Sequence, residues 1–507
     1  MCVDRGFVLL VACVVGCAPT AGPAVALDSG LGVQDSGVIA PDSVMVPDAE
    51  TDAGTSADGS GPTAPDDAGL PDGPSVNAFQ GPLRAVMLGT LTTVAAASRG
   101  RTGLTIGGRA SSGAIVDVDG FRFKPPSGVS WGWVGRVVDG SGVSWVIPAK
   151  APSYASVDHV AMHGDESVVA GTFVDKVTLD GTTVLAGKGL SLFISRLSPT
   201  GKVKWILALP ANDFIVLRAL VADGAGNAYG AIEFQGELTV DGRTVISPNG
   251  KRDVLLVKLD TLGRFVWAKQ YGNSSDDYAV DLEMDAKGGL HYLGEYQGGA
   301  VSYSGHKVSA DDVKREIIYG AINAATGDFV RIKSFGGPGD QFADSLAMLS
   351  DRPVIAAQLE GGKLTLASGV VYDSKTRSVA SIIELDAQLA LDKVHVIERP
   401  YDAVTLAARG NRLYVAGHFL GQVNWHGLSQ PSPANSRGIY FASIEAGKPT
   451  LVVPQHPKGL AVVRQATSSA QGDPIWIGRF STDFSVGGYT VRTAKPHYNG
   501  AFVWQQP

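Results

Sequence analysis

The chain has 507 residues, of which 44% are hydrophobic and 64 are glycine, and its formal net charge is −7. That charge is unevenly distributed: residues 18–78 carry nine Asp, one Glu and no Lys or Arg, so the rest of the chain is close to neutral. A near-neutral body argues against a nucleic-acid partner, which requires a concentrated basic surface. All three cysteines (Cys2, Cys13 and Cys17) precede residue 18, which excludes disulfides, cysteine-based zinc sites and thiol nucleophiles from the body.

Residues 1–17 are predicted to be a lipoprotein signal peptide. The apolar run from Phe7 to Val15 is too short to span a bilayer but suits a signal-peptide core. It leads into Val14-Val15-Gly16-Cys17, which resembles the bacterial lipobox. That resemblance implies that Cys17 carries a diacylglycerol and anchors the chain in a membrane. Ala18, in the next position, favours the outer membrane, facing the periplasm or the cell surface. An ordinary secretory signal with a chance cysteine is the alternative.

Residues 18–78 form the second predicted segment, an acidic linker composed almost entirely of Ala, Asp, Gly, Pro, Ser and Thr. It has no aromatic residue and no sustained apolar period, so it cannot bury enough apolar surface to offset its ordering entropy. We therefore expect a disordered stalk with a span of roughly 45 Å for a flexible chain of this length. A cation-binding role is less favoured, because its Asp residues lack the spacing of a binding loop.

Residues 79–507 are predicted to be one all-β domain built from a repeated unit. Glycines that end the same short hairpin recur every 58 to 64 residues, at Gly120, Gly181, Gly242, Gly305, Gly369, Gly427 and Gly488. Seven all-β units with a fixed period are typical of a seven-bladed β-propeller. The Asp-Gly and Gly-Gly pairs at these turns supply the positive φ angles that two-residue hairpins need.

The best-preserved unit begins near residue 191. It reads as strand Leu192–Leu197, turn Ser198–Gly201, strand Lys202–Leu207, strand Arg218–Ala222, turn Asp223–Asn227 and strand Tyr229–Phe234. The first strand of each unit is predicted near residues 131, 191, 254, 317, 380, 439 and 501. Runs such as Val254–Val257 are apolar at consecutive positions, which indicates strands buried on both faces.

The two ends of this domain are predicted to complete one blade together. Ala501–Trp504 restarts the first strand of the unit at the end of the chain, whereas Leu83–Leu88 resembles a second strand without its first. Pairing between them would close the ring and remove its free edges.

The repeat resembles the bacterial cell-surface β-propeller repeat often called SBBP. The matching segments are Leu259–Trp267, Asp223–Tyr229 and Gly417–Gly421, and the resemblance covers about residues 83–507. It implies a propeller fold and an envelope location, and little about activity. Leu197–Trp205 also resembles, weakly, the tryptophan-docking motif of pyrroloquinoline-quinone dehydrogenases. Because a turn glycine and a strand tryptophan are structural requirements, no cofactor is predicted.

No catalytic or metal-binding residues are predicted. The sequence has no Gly-x-Ser-x-Gly, phosphate-binding loop or HExxH motif. His159 and His163 are four apart but are not expected to share a strand face as helical ligands would. Asp117-Val-Asp119-Gly120 is interpreted as a hairpin turn rather than a calcium loop. Asp276-Asp277 and Asp311-Asp312 are interpreted as solvated loop acids.

The sequence thus predicts a lipid-anchored envelope propeller that binds or scaffolds and is not an enzyme. Its partners would be the membrane and an envelope protein or polysaccharide. The alternative is a propeller enzyme (a lyase, glycan hydrolase or quinoprotein-like protein) with its site in the central funnel. A third hypothesis is a purely structural envelope component. A cavity with converging Asp, His or Arg side chains would favour the enzyme, whereas a funnel lined by small side chains would exclude it.

Overall fold

The computed structural model describes residues 92–505 apart from short gaps at 115, 119–120, 140, 188, 247–250, 338, 361–362, 367–368, 374–377, 401–403, 432–437, 454–460, 469–473, 481–483, 487–488 and 492–499. The predicted signal peptide with Cys17, the linker 18–78 and the segment Leu83–Leu88 lie outside the described residues. Within the described ranges the secondary structure is strand and turn. No helix in that part of the chain is long and apolar enough to cross a membrane.

Taken in chain order, the described strands fall into seven antiparallel groups, each with a short hairpin. We call these groups the first to seventh sheets, although the fifth and sixth are hydrogen-bonded into one nine-stranded sheet. The first contains β1 (Thr92–Arg99), β2 (Gly103–Ala110), β3 (Val116–Val118), β4 (Phe121–Phe123), β5 (Trp131–Val138) and β6 (Gly142–Ala149). The second contains β7 (His159–His163), β8 (Glu166–Phe173), β9 (Lys176–Leu179), β10 (Thr182–Leu185), β11 (Ser191–Leu197) and β12 (Val203–Leu209). The third contains β13 (Ile215–Ala222), β14 (Ala228–Phe234), β15 (Glu237–Val240), β16 (Arg243–Ile246), β17 (Asp253–Leu259) and β18 (Phe265–Tyr271).

The fourth and fifth sheets follow the same plan. The fourth contains β19 (Asp277–Met284), β20 (Leu290–Tyr303), β21 (His306–Ile322) and β22 (Phe329–Phe335), and its long central strands continue into the hairpin. Asp311 and Asp312 therefore lie within a strand, and their interpretation as loop residues is wrong. The fifth contains β23 (Gln341–Leu349), β24 (Arg352–Glu360), β25 (Lys363–Leu366), β26 (Gly369–Asp373), β27 (Ser378–Leu385) and β28 (Leu391–Pro400).

The last two sheets complete the series. The sixth contains β29 (Thr405–Arg409), β30 (Arg412–Trp425), β31 (Leu428–Pro431), β32 (Gly438–Glu445) and β33 (Lys448–Val452), and β28 of the fifth sheet also pairs with β30. The seventh contains β34 (Ala461–Ser468), β35 (Pro474–Phe480), β36 (Phe484–Val486), β37 (Tyr489–Val491) and β38 (Gly500–Gln505). The described chain is therefore all-β, with a propeller-like series of small antiparallel sheets.

Each sheet is assembled from two consecutive sequence units. In the third sheet the order is β13-β14-β17-β18, and the hairpin β15–β16 lies between the two middle strands. The strands predicted to begin the units, such as β11 and β17, are the third strand of their sheets. A sequence unit therefore supplies the last two strands of one sheet and the first two of the next. In the seventh sheet the last strand of the chain, β38, pairs with β35.

The hairpin glycines adopt the predicted conformation. Gly181, Gly242, Gly305 and Gly427 have φ between 70° and 88°, and the residue before each also has a positive φ. Two successive positive φ angles define the turn that matches the twist of a two-stranded hairpin. Gly369 begins β26 instead of lying within the turn, and Gly120 and Gly488 lie outside the described residues.

Tryptophans join neighbouring sheets. The indole Nε1 atoms of three outer-strand tryptophans donate to carbonyl oxygens in the turn of the next sheet: Trp145 to Pro199 at 2.9 Å, Trp205 to Thr261 at 3.0 Å and Trp267 to Ala324 at 3.2 Å. In the fourth sheet Arg331 takes this position and donates to Ala387 O at 2.7 Å. The tryptophan of the repeat is therefore an element of sheet packing, as expected.

The core lies between the sheets. Val254–Val257 is buried throughout, which confirms the prediction of strands covered on both faces. One cluster combines the third and fourth sheets around Tyr229, Trp267 and Tyr292. Another combines Val94, Ala97 and Trp133 of the first sheet with Ile475 and Ile477 of the seventh. Most buried apolar surface is thus shared between adjacent sheets, as in a propeller.

Candidate functional site

The first strands of four sheets enclose a polar cavity. β1, β7, β13 and β19 contribute its walls, and it encloses about 480 Å³. The ionisable side chains at its lining are Arg99, Arg101, His159, His163, Arg218, Asp223, Asp281 and Glu283. These residues come from positions far apart in the sequence, which is why no local motif revealed them. The cavity is the kind of converging polar pocket that favours ligand binding or catalysis over a purely structural role.

Two carboxylates lie on one side of this cavity. Asp281 and Glu283 are two residues apart on β19, so both project from the same face of the strand. Asp281 accepts hydrogen bonds from the backbone N–H groups of Leu282 and Leu346, each at 2.9 Å. Burial raises the pKa of Asp281. The pKa of Glu283 is raised further, by burial and by the nearby Asp281 charge. These two carboxyl groups therefore keep a proton more readily than exposed ones.

Two histidines on β7 also line the cavity. Both His159 and His163 line the cavity, so the expectation that they do not share a face is wrong; positions four apart on a strand return to the same side. They are nevertheless about 13 Å apart along a strand, too far for one metal ion. His159 Nε2 lies 2.8 Å from Leu217 O, and burial lowers its pKa to about 4, which keeps the ring neutral. His163 Nδ1 lies 3.1 Å from Asp223 O.

Two of the three arginines that line the cavity are paired with acids. A β-bulge in β13 between Leu217 and Ala219 displaces Arg218 from the ladder, and Arg218 Nη2 donates to Glu233 Oε2 at 2.9 Å. Glu233 is only 1% exposed, so the carboxylate end of this ion pair is buried. Arg99 is similarly paired with Asp139. Fixed guanidinium groups next to water can present their remaining N–H donors to a ligand.

No arrangement of three or more His, Cys, Asp or Glu suited to a metal ion occurs among the residues that the structure describes. The Trp205 position, which weakly resembles a quinone-docking motif, packs against the turn of the next sheet. The predicted turn at Asp117–Gly120 is bracketed by the hairpin β3–β4, although Asp119 and Gly120 themselves lie outside the described residues.

The interpretation of Asp276 and Asp277 as a solvated pair is wrong for one member. Asp277 begins β19 and is completely buried, and burial raises its pKa to about 7. Asp276 is partly buried, and its Oδ1 accepts the backbone N–H of Arg252 at 3.1 Å. Asp277 follows a run of polar loop residues, so the sequence does not show that it is the first residue of a strand and buried between sheets.

A row of alternating aromatic and arginine side chains crosses the third, fourth and fifth sheets. Arg252 lies between Phe214 and Tyr278, with its Cζ 4.9 and 5.7 Å from the two ring centres. Arg315 lies between Tyr278 and Phe342, at 4.0 and 5.0 Å. Arg315 also donates to Glu295 at 3.0 Å. The stacking orders both guanidinium groups and links three sheets.

A second polar chain connects the fifth and sixth sheets. His395 Nε2 lies 2.6 Å from Glu384 Oε1, and His395 Nδ1 lies 3.0 Å from His426 Nε2. His426 occupies the turn between β30 and β31, so its contact with His395 holds this hairpin against β28. No sequence motif links these two histidines, because their contact depends on the pairing of non-adjacent strands.

Neither a family model nor a curated protein sequence matches the chain. Among solved structures, it is similar to the hemagglutinin-neuraminidase ectodomain of parainfluenza virus 5, with a TM-score of 0.30, 9% identity and coverage of 69% of this chain and 81% of that one. It is also similar to the extracellular domain of a candidate one-component system from B. thetaiotaomicron, with a TM-score of 0.18, 10% identity and coverage of 84% and 82%. Likenesses this distant carry no argument on ligand or activity.

Proposed function

We propose that this protein is a lipid-anchored β-propeller of the bacterial envelope that binds a polar ligand, such as a polysaccharide segment or a protein loop, in its central cavity without chemically altering it. The observation that carries the proposal is the cavity of about 480 Å³, whose lining brings together carboxylates, histidines and arginines. Such a lining can donate to and accept from a hydroxyl-rich ligand. Most of its charged groups are already fixed by structural partners, which suits recognition better than proton transfer.

The proposal includes a closed ring of seven blades. It is supported by the cluster that Val94 and Ala97 share with Ile475 and Ile477, because adjacent blades bury their apolar faces against each other. In this arrangement β38 is the third strand of the last blade, and Leu83–Leu88 supplies the fourth. Joint completion of one blade by both ends of the chain leaves no unpaired sheet edge.

The proposal also places the chain on a membrane through Cys17, with residues 18–78 as a stalk. The support is the lipobox resemblance and the acidic, proline-containing composition of the stalk. Mass spectrometry of the N-terminal peptide from envelope fractions tests this part: we expect a diacylglyceryl group on Cys17. The Cys17→Ser variant is expected to lose the membrane association, and an unmodified N-terminal peptide would contradict the anchor.

The binding role is tested with the mature chain, prepared without lipid, against envelope polysaccharides and peptidoglycan fragments. We expect saturable binding that weakens at least tenfold in Glu283→Gln and in Arg101→Ala. Lys202→Ala is the matched control, because Lys202, in the turn before β12 and away from the cavity, is 73% exposed and pairs with Asp180. Binding that is equal in all three variants would contradict a site in the cavity.

A propeller enzyme is the second candidate, because the cavity does bring together Asp, His and Arg side chains, the condition that favours an enzyme. Asp281 and Glu283 are neighbouring carboxylates of raised pKa in a cavity, an arrangement from which glycan hydrolases obtain a general acid and a base or nucleophile. The same panel of polymers, analysed by mass spectrometry after long incubation, distinguishes the two roles. Shortened products that disappear in Glu283→Gln would establish the enzyme, whereas unchanged polymers with saturable binding would support the binding role.

A further inference from the structure

Two fully buried aspartates face each other across the third and fourth sheets, away from the residues that line the cavity. Asp253 is the first residue of β17 and Asp277 is the first residue of β19, and both are 0% exposed. One oxygen of each carboxylate has a partner: Asp253 Oδ2 accepts from Gln270 Nε2 at 2.5 Å, and Asp277 Oδ2 accepts from the Asn273 backbone N–H at 2.8 Å. The Oδ1 atoms of both are buried without any hydrogen-bond partner.

Both carboxylates converge on one peptide unit. The backbone N–H of Asp277 donates to Arg252 O at 2.9 Å, which brings Asp277 next to the residue that precedes Asp253. A Cβ on Gly272 would lie only 2.3 Å from Asp253 Oδ1, so only glycine allows this approach. Asn273, the next residue, binds Asp277. The two acids therefore flank the Gly272–Asn273 segment.

No positive side chain neutralises this pair. Neither aspartate has an ion-pair partner among the described residues, and the Arg252 guanidinium is stacked between Phe214 and Tyr278. The Tyr303 hydroxyl is also buried without a hydrogen-bond partner, and burial, followed by charges that include those of Asp277 and Asp253, raises the pKa of that phenol. Unpaired buried carboxylates are costly, so two unsatisfied carboxylate oxygens at one sheet interface call for a bound group.

We propose that Asp253 and Asp277 hold a hard divalent cation of the calcium class between the third and fourth sheets. A divalent ion matches the two carboxylate charges, and the available donors are all oxygens. The unpartnered Oδ1 atoms of Asp253 and Asp277 would be its protein ligands. Calcium accepts irregular shells, whereas magnesium retains waters and needs near-octahedral geometry, which a dry interface does not provide. The site is independent of the central cavity and of the ligand proposed for it.

Metal content is measured first on the full chain. After purification with calcium and exhaustive desalting, elemental analysis is expected to find one more calcium per chain in the wild type than in the isosteric Asp253→Asn/Asp277→Asn variant. Asp276→Asn is the matched control, because it removes a neighbouring carboxylate outside the pair and is expected to keep the ion. The acidic residues 18–78 are present in all three proteins, so any calcium held there cancels from the comparison.

Two further measurements do not depend on the variants folding. Terbium, a calcium substitute, should show tyrosine-sensitised luminescence in the wild type, because Tyr303 and Tyr271 are close to the site, and calcium should displace it. The melting temperature should rise by about 3 °C at a calcium concentration a hundredfold above the Kd, relative to EGTA. Equal calcium content, no sensitised terbium signal and no thermal shift would overturn the site. Higher stability of the double asparagine variant at pH 8, without bound metal, would assign a proton to the pair instead.

Discussion

The indole ring of Trp205 lies directly over Gly263 of the following sheet, and its Cδ2 atom is 2.7 Å from the position that a Cβ on Gly263 would occupy. Gly263 also has a φ of 80°, a conformation that L-residues rarely adopt. The same relationship joins Trp145 to Gly201 and Trp267 to Gly327. The glycine and the tryptophan that recur in the sequence therefore contact each other between neighbouring sheets, not within a single sheet.

Gly263→Ala is expected to lower the free energy of unfolding by about 2–4 kcal/mol, because it adds a steric clash with Trp205 to the cost of a positive φ. Chemical denaturation followed by tryptophan fluorescence measures this change. Gly242→Ala provides the control: Gly242 has a φ of 70°, but nothing lies within 4 Å of its Cβ position, so only about 1 kcal/mol is expected. Equal losses in the two variants would contradict a packing role for Trp205.

The fold was more predictable than the site for a physical reason. Turn glycines and the strands beside them obey local rules, so β11, β12 and β14 lie within a residue or two of their predicted bounds. The sequence period could not show that each unit begins at the third strand of a sheet, because a repeat has the same spacing whichever strand is counted as its first. In the fourth sheet Arg331 replaces tryptophan, and Leu389, with a φ of 64°, takes the glycine position of the next turn. Such units look degenerate in sequence although their geometry is kept.

Arg218→Met is expected to destabilise the protein by about 2–4 kcal/mol, because it leaves the buried Glu233 carboxylate without its cation. Glu233→Gln in the same chain should restore much of this loss, since a neutral amide does not require the guanidinium. Denaturant midpoints of the two single variants and the double variant form a double-mutant cycle. Additive effects of the two substitutions would show that the contact carries no coupling energy.

His159 should make the protein less stable in mild acid. Its pKa is about 4 in the folded state, below the ordinary value of 6.5, because burial disfavours the charged ring. The unfolded chain therefore takes up a proton between pH 6.5 and 4 that the folded chain does not, and stability falls as pH falls through this window, by at most about 3 kcal/mol. His159→Gln should flatten this part of the stability curve. Parallel curves for both proteins would exclude the histidine as the source.

Glu295 should act in the opposite direction. Burial raises its pKa to about 7 although Arg315 and the Ala343 N–H contact its carboxyl group. The folded chain keeps a proton that the unfolded chain loses above its ordinary pKa, so stability falls as pH rises from about 4.5 to 7. Glu295→Gln is expected to remove this slope while the row of stacked side chains stays in place. A wild-type slope that survives the substitution would assign the effect to other buried acids.

A chain that ends at residue 499 lacks β38 and exposes the edge of β35. If the first and seventh sheets are neighbours in a closed ring, this truncation should lower the melting temperature by more than 10 °C and cause aggregation through the free edge. Removal of residues 18–78 is the control and should leave the melting temperature unchanged. Truncated protein that melts like the full chain would contradict closure at this sheet.

The cavity and the buried acids were beyond sequence reasoning for a common reason. Arg218, Asp281 and Glu283 are ordinary strand residues until the bulges and the order of the sheets bring them to one wall. Asp277 sits in a polar run that favours a solvated loop, and only its position at the start of β19 buries it. The local sequence pattern predicts which residues form strands. Which side chains from different sheets come into contact depends on long-range packing, which that pattern does not contain.

The stagger of the sequence units has an evolutionary consequence. Each unit of about 61 residues supplies the last two strands of one sheet and the first two strands of the next. After an in-frame duplication or loss of one unit, the first two strands of a sheet are therefore still followed by the last two strands of a sheet. The array could therefore gain or lose one member without creating an incomplete sheet at the junction. Recombination among such repeats would change the number of sheets before it damaged the fold.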